Sequence, residues 1–306
     1  MIASGMHIVK SGRKACIHQS RDRRSSFGEL IQADGSPHDW FEGRANKCCL
    51  LVFIDDSSSK LMYARFEKSE TTQGYLKATK DYINTHGIPA SFYTDKHSIF
   101  RVNQRCSDAR KSQFHRAVEE LGIELICAHT PQAKGRVERA NLTLQKRLTK
   151  EMRLRDISSI TEANKFLPEF IADYNSKFAV TPKKTNNMHV PITYDEDKLN
   201  YILSVRENRV LSKNLECSFN NMCIQITTKT KGYRLRKATV TIAVNTDGEI
   251  TVWHHKEKLQ FTIKNIQLRT RVVDYKEISL NSPFSLTLAK DFLSLPRRQE
   301  KIIISP

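Results

Sequence analysis

The sequence predicts an α/β protein: a mixed five-stranded sheet with flanking helices, followed by a small β-barrel. Three observations lead there. Three strand-like segments precede the first helix, and helices and strands then alternate, giving the order βββ-α-β-α-β-α. Right-handed crossovers bring the fourth and fifth strands alongside the first. Beyond about residue 206 helical periodicity stops and short strand segments follow one another closely.

Glu29–Ala33 is the first, short strand candidate. Cys48–Ile54 is a continuous apolar run, and Leu61–Phe66 follows the hairpin residues Asp55-Asp56-Ser57-Ser58-Ser59. A helix over Thr72–His86 is stopped by Gly87 with Pro89 just beyond. Ala90–Thr94 reads as a strand, Ser107–Leu121 as a helix closed by Gly122, and Ile123–Ala128 as a strand. From Gly135 to about Arg155, Val137, Ala140, Leu144, Leu148 and Met152 make the apolar stripe of a long helix. Ile160–Phe178 is a further helix. The last strands are expected at Asn208–Leu211, Met222–Thr227, Ala238–Val244, Glu249–His254 and Gln260–Ile263. The organisation expected is a basic arm over 1–26, a catalytic core over 27–178, a linker over 179–205, a barrel over 206–270 and a tail over 271–306.

The net charge of +17 favours a polyanionic partner, nucleic acid before an anionic membrane surface. No apolar run approaches the ~20 residues that span a bilayer, and the N-terminus carries no apolar signal region. Seven scattered cysteines without a CxxC pair read as free thiols in a reducing compartment, neither a disulfide frame nor a zinc site. His254-His255 is an isolated pair.

Acidic residues are scarce, so their placement is informative. Asp34 and Asp95 follow the first and fourth strands, which lie side by side in the expected sheet. Glu138 sits in the first turn of the long helix, which can pack across the same edge. Two hard cations about 3.5–4 Å apart can activate one oxygen of an in-line phosphoryl displacement and stabilise the leaving one. Mg²⁺ takes carboxylate oxygens and keeps several waters, so three carboxylates suffice. Asp34, Asp95 and Glu138 are therefore the candidate catalytic and metal residues, with two divalent ions such as Mg²⁺ per site. Each alone has an ordinary reading: a turn residue for an aspartate at a strand end, a helix-dipole partner for Glu138. Asp55-Asp56 and Asp39 are alternatives, the former better read as a hairpin turn and the Asp173–Tyr174–Asn175 cluster as a helix end.

The long helix is also basic. Lys134, Arg136, Arg139 and Lys146 lead a run that can align a phosphate backbone, and Asn141 and Gln145 share the face of Glu138. In the barrel, Lys229, Lys231, Arg234, Arg236 and Lys237 surround Tyr233 and suit a DNA-binding surface. Solvated or protein-binding faces are the plain alternatives.

Thr94-Asp95-Lys96-His97-Ser98-Ile99-Phe100 and Pro131-Gln132-Ala133-Lys134-Gly135-Arg136-Val137-Glu138-Arg139-Ala140-Asn141 resemble the second and third blocks of the integrase-core DDE recombinases. The stretch from Phe27 to Glu42, together with Asn164-Lys165-Phe166-Leu167-Pro168 and Ala172-Asp173-Tyr174-Asn175, is similar to the ISNCY group of insertion-sequence transposases. The resemblance runs from about residue 20 to 195. It implies an RNase H-like core with Asp34, Asp95 and Glu138 as triad. It also implies Mg²⁺ or Mn²⁺, and cleavage of transposon ends by water followed by attack of the freed 3′-hydroxyl on target DNA. A homo-oligomer on DNA in the bacterial cytoplasm, associated with the nucleoid, is the expected setting. Lys96-His97 stands where many integrase cores have Asn-Gly, and is usual in the closer group. Such transposases normally begin with helix-turn-helix domains, whereas a short basic arm precedes the core here, so a copy lacking them is expected. Two rival readings use the same residues: an RNase H-like nuclease that cuts without joining, and a catalytically incompetent DNA-binding copy that inhibits transposition.

Overall fold

The computed structural model describes residues 22–101, 111–128, 135–228, 232–255 and 257–265. The chain divides into two compact units, Met1–Arg206 with Ala243–Ile250, and Glu207–Ile242 with Thr251–Pro306.

The first unit holds β1 (Ile31–His38), β2 (Cys48–Asp55), β3 (Leu61–Glu67), α1 (Thr72–His86), β4 (Ser91–Thr94), α2 (Gln113–Glu120), β5 (Glu124–Cys127), α3 (Gly135–Leu154), α4 (Ile160–Phe178) and α5 (Glu196–Ile202). Its sheet has the order β3-β2-β1-β4-β5. The first three strands are antiparallel neighbours, while β4 runs parallel to β1 and β5 parallel to β4. This is the mixed five-stranded sheet that the sequence predicts.

The apolar run of β2 is explained by burial on both faces. Cys49, Leu51 and Phe53 pack with Tyr75 and Tyr82 of α1 and Phe114 of α2. Cys48, Leu50, Val52 and Ile54 pack with Leu144 and Leu148 of α3 and Phe170 of α4. Alternate side chains thus enter two different cores.

Local chemistry sets the helix ends. Thr71 and Ser159 cap α1 and α4 by accepting from Gly74 N and Glu162 N. Gly87, at φ +90°, ends α1 in a conformation that favours glycine. The helix expected from Ser107 begins, among the described residues, at α2, where Ser112 accepts from His115 N.

Two departures from expectation matter. Strand β1 does not stop before Asp34 but runs through Gly35, Ser36 and Pro37 to His38, paired with β2 over all eight residues. Its ladder with β4 covers only Ile31 and Gln32. The far half of β1 therefore has an edge on which a proline, lacking an N–H, is tolerated. Helix α5 was not expected; it lies within the segment read as linker and contributes Leu199 and Ile202 to the first core.

The outer edge of β3 is covered by helix α4 through two asparagines. Asn164 accepts from Phe66 N and donates to Phe66 O, at 2.8 and 3.0 Å. Asn175 does the same to Leu61, at 2.8 and 2.9 Å. Eleven helical residues at about 1.5 Å each and five strand residues at about 3.3 Å each span the same ~16.5 Å. The two amides therefore meet the strand at both ends and occupy backbone groups that an edge strand otherwise exposes.

In the second unit and its border run β6 (Val205–Val210), β7 (Glu216–Phe219), β8 (Met222–Thr227), β9 (Thr239–Val244), β10 (Ile250–His254) and β11 (Glu257–Asn265). They form a barrel-like antiparallel sheet in the order β6-β9-β10-β11-β8-β7. Strand β7 is additional to the five expected, and pairs with β8 across the tight Asn220-Asn221 turn, where both residues have positive φ. Of the cysteines, Cys48, Cys49 and Cys217 are buried and Cys127 and Cys223 partly so, all as free thiols; Cys16 and Cys106 lie outside the described residues.

Candidate active site

Helix α3 lies along β1, joined to it by three polar rungs. Val137 N donates to Gln32 Oε1 at 3.2 Å, Asn141 Nδ2 to Asp34 Oδ2 at 2.9 Å, and Gln145 Nε2 to Ser36 Oγ at 3.0 Å. Each step is two residues on the strand and four on the helix. Two strand residues advance about 6.6 Å and four helical residues about 6 Å, so the rungs stay in phase. Asp34 therefore faces α3, in mid-strand.

Asp95 lies one residue beyond β4. The parallel register pairs Ile31 with Phe92 and Gln32 with Tyr93. The ladder ends there, and Asp34 and Asp95 each lie two residues further along their chains, so both leave it at the same end. Asp95 is half-buried, and its Oδ1 accepts from His97 N at 2.9 Å, which fixes the turn leaving the sheet. Glu138 is exposed in the first turn of α3, three residues before Asn141. Residues three apart are neighbours on a helix surface, so Glu138 adjoins the side chain that holds Asp34. Among the described residues, no three histidine, cysteine, aspartate or glutamate side chains form a cluster that could hold a metal ion. The isolated pair His254-His255 builds none either.

The donor chemistry nevertheless suits a hard divalent cation. Beside Asp34, the Oδ1 of buried Asn141 has no hydrogen-bond partner. A buried carbonyl oxygen left unsatisfied costs about 1–3 kcal/mol and calls for an electropositive neighbour. Carboxylate and amide oxygens together are the ligands that Mg²⁺ and Mn²⁺ prefer.

A fourth acidic residue borders β1 and was missed in the sequence. A Cβ on Gly35 would stand 2.6 Å from the carboxyl carbon of Glu70. Tyr75 Oη donates to Glu70 Oε1 at 2.8 Å and fixes that carboxylate. Burial, then the charge of Glu70, raises the Tyr75 hydroxyl well above its usual range. Burial and Glu70 likewise push the Cys49 thiol up to about 12, so it stays protonated and inert. The only local signals were a glycine directly after Asp34 and a glutamate directly before the cap Thr71.

The aspartates of the β2–β3 hairpin are structural. Asp55 and Asp56 are fully buried. Asp55 accepts from Gly28 N, Ser57 Oγ, Ser58 N and Ser58 Oγ. Asp56 accepts from Gln32 Nε2 and Arg136 Nη1, both at 2.6 Å, and from Arg24 N at 2.8 Å.

Three of the residues expected to touch DNA have partners within the chain. Arg136 forms its ion pair with buried Asp56, Asn141 is buried against Asp34, and Gln145 bonds to Ser36. Spacing put Asn141 and Gln145 on one helix face, and both bond to β1. Arg139 and Lys146 are exposed on α3. Arg234, Arg236 and Lys237 are exposed around the short turn Tyr233–Leu235, with the Arg236 guanidinium 4.6 Å from the ring centre of Tyr233. Lys134, Lys229 and Lys231 lie outside the described residues.

No protein-family model matches the chain. It is 44% identical over 228 residues to "Putative transposase y4bF" of Sinorhizobium fredii, an alignment covering 74% of this chain and 50% of that protein. It is 33% identical over 293 residues to the transposase for insertion sequence IS1202 of Streptococcus pneumoniae, covering 90% of this chain and 62% of that one. The chain thus spans between half and two thirds of the length of these relatives. Among solved structures, the catalytic core domain of HTLV-2 integrase in complex with magnesium is 21% identical, with a TM-score of 0.36, over 46% of this chain and 82% of that one. A simian T-cell lymphotropic virus intasome is 17% identical, with a TM-score of 0.44, over 81% of this chain and 84% of that one. No helix among the described residues is long and apolar enough to cross a membrane. The chain is therefore similar in sequence to transposases of bacterial mobile elements, over half to two thirds of their length.

Proposed function

We propose that the chain is a DNA transposase, cutting DNA ends and joining them to target DNA with a divalent metal. The reading rests on one observation above all. Asp34 is held in mid-strand by Asn141, one helical turn past Glu138, and Asp95 directly follows β4, the parallel neighbour of β1. Asp34, Asp95 and Glu138 would hold the ions. When bound, two Mg²⁺ or Mn²⁺ ions supply an activated oxygen nucleophile and stabilise the leaving oxygen. Asn141 orients Asp34 so that one carboxylate oxygen is engaged with the amide. The turn fixed by Asp95 and His97 N orients the second carboxylate. Exposed Arg139 and Lys146 extend from the site along α3 and suit a phosphate backbone, which they would position without reading sequence. DNA ends and target DNA are the substrates in this reading, a homo-oligomer on DNA is the working form, and Arg234, Arg236 and Lys237 offer a second basic surface.

The test is strand transfer on pre-cleaved DNA with Mg²⁺ or Mn²⁺, against Asp95→Ala. Joined products that depend on metal and vanish in the variant are expected. Cut but never joined DNA would favour a nuclease. Salt-sensitive DNA binding without turnover in either protein would overturn the enzymatic reading.

A further inference from the structure

The third carboxylate stands on the first turn of a helix, a place where backbone N–H groups lack helical partners and helices fray. Something must hold that turn still if Glu138 is to work with Asp34 and Asp95. Among the described residues, Gln32 and Asp56 reach it from outside the helix. Gln32 Oε1 accepts from Val137 N, so a side chain of β1 satisfies one of the turn's orphan donors. Arg136 Nη1 donates to Asp56 Oδ1 at 2.6 Å. The two contacts are one network, because Gln32 Nε2 donates to that same Oδ1 of Asp56, also at 2.6 Å. This bond fixes which end of the Gln32 amide faces Val137. Asp56 itself is fully buried and is held from a third side by Arg24 N. The two contact residues, Arg136 and Val137, are the two that precede Glu138 in the sequence.

We propose that Asp56 is a positioning residue for Glu138, acting through Gln32 and Arg136 on the first turn of α3. The proposal rests on the reading of Glu138 as the third acidic residue of the site. A buried carboxylate is a strict locator: it tolerates few positions for its donors, since each lost bond leaves charge uncompensated in the interior. Asp56 sits at the end of the β2–β3 hairpin, outside the acidic trio, and it sets where α3 begins relative to β1. The rungs at Asn141 and Gln145 then follow in phase.

Removing one member of a buried pair is strongly destabilising, whereas neutralising both is far milder. The test therefore compares Asp56→Asn with the double variant Asp56→Asn/Arg136→Gln, using Glu138→Gln as reference and the full chain throughout. Three quantities are read: thermal unfolding, Mn²⁺ binding by calorimetry alongside the Mn²⁺ dependence of strand transfer, and amide exchange along α3. The double variant is expected to stay folded and to raise the Mn²⁺ needed for half-saturation about tenfold, as Glu138→Gln does. Exchange in the first turn of α3 is expected to quicken about tenfold, with the turns after Leu144 unchanged. Unchanged exchange in the first turn, or unchanged Mn²⁺ half-saturation in the folded double variant, overturns the proposal. If the wild-type chain neither binds Mn²⁺ nor joins DNA, it is the transposase reading that falls, and the exchange arm still decides whether Asp56 fixes the start of α3.

Discussion

Two helices lean on the same sheet through side-chain amides, and they finish the task differently. On α4, Asn164 and Asn175 each donate to and accept from the backbone of β3, so both ends of both amides are engaged. On α3, Asn141 gives its N–H to Asp34 and leaves its carbonyl oxygen buried without a partner. The first arrangement is complete and does nothing further than cover an edge. The second carries an unsatisfied acceptor beside a carboxylate, a cost that a scaffold alone does not require. The difference teaches where to look for chemistry in a fold of repeated polar contacts: at the rung left open.

That contrast can be broken most severely at Asp34. Replacement by Asn should lower metal-dependent strand transfer by roughly 10³-fold, about 4 kcal/mol of transition-state stabilisation, with the circular dichroism spectrum unchanged. Retained joining would remove Asp34 from the reaction. Next in size is Asn141→Ala, which should reduce activity 10–100-fold by loosening Asp34, roughly the loss expected for a residue that orients a metal ligand. Its melting temperature should barely fall, since the variant also removes the orphaned oxygen; a large drop in melting temperature would make Asn141 a scaffold residue like those of α4. Asn175→Ala sharpens the other half of the comparison. It strands the backbone of Leu61 and should cost about 1–3 kcal/mol of stability in denaturant titrations, with activity per folded molecule unchanged. The smallest effect is expected at Gln145→Ala, where the Ser36 rung is only partly buried: under ~1 kcal/mol in stability and a change in rate of about twofold or less. A tenfold loss of rate there would show that the whole ladder, not the Asp34 rung, governs the site.

Much of the core was legible because its signals are local. The bounds of α1 and α4 follow from caps, periodicity and a terminating glycine, and the strand order follows from the succession of elements. Asp34 was expected just beyond the first strand, because the apolar signal of that strand ends at Ala33. Its place in mid-strand depends on pairing with Val52 and on a helix more than a hundred residues away. Arg136 looked like a free cation because its partner Asp56 is 80 residues distant. Glu70 escaped notice for a similar reason: only the folded chain brings it over Gly35. Short elements such as α5 and β7 offer too few residues for a period to emerge.

The matched spans of α4 and β3 carry one more implication, for how this protein can change over time. A residue inserted into the helix between Asn164 and Asn175 would advance the second amide by about 1.5 Å and turn it through about 100°, away from Leu61. Substitutions along that stretch are free wherever the new side chain fits, but its length is not. Relatives of this protein should vary in the wording of the helix and keep its count.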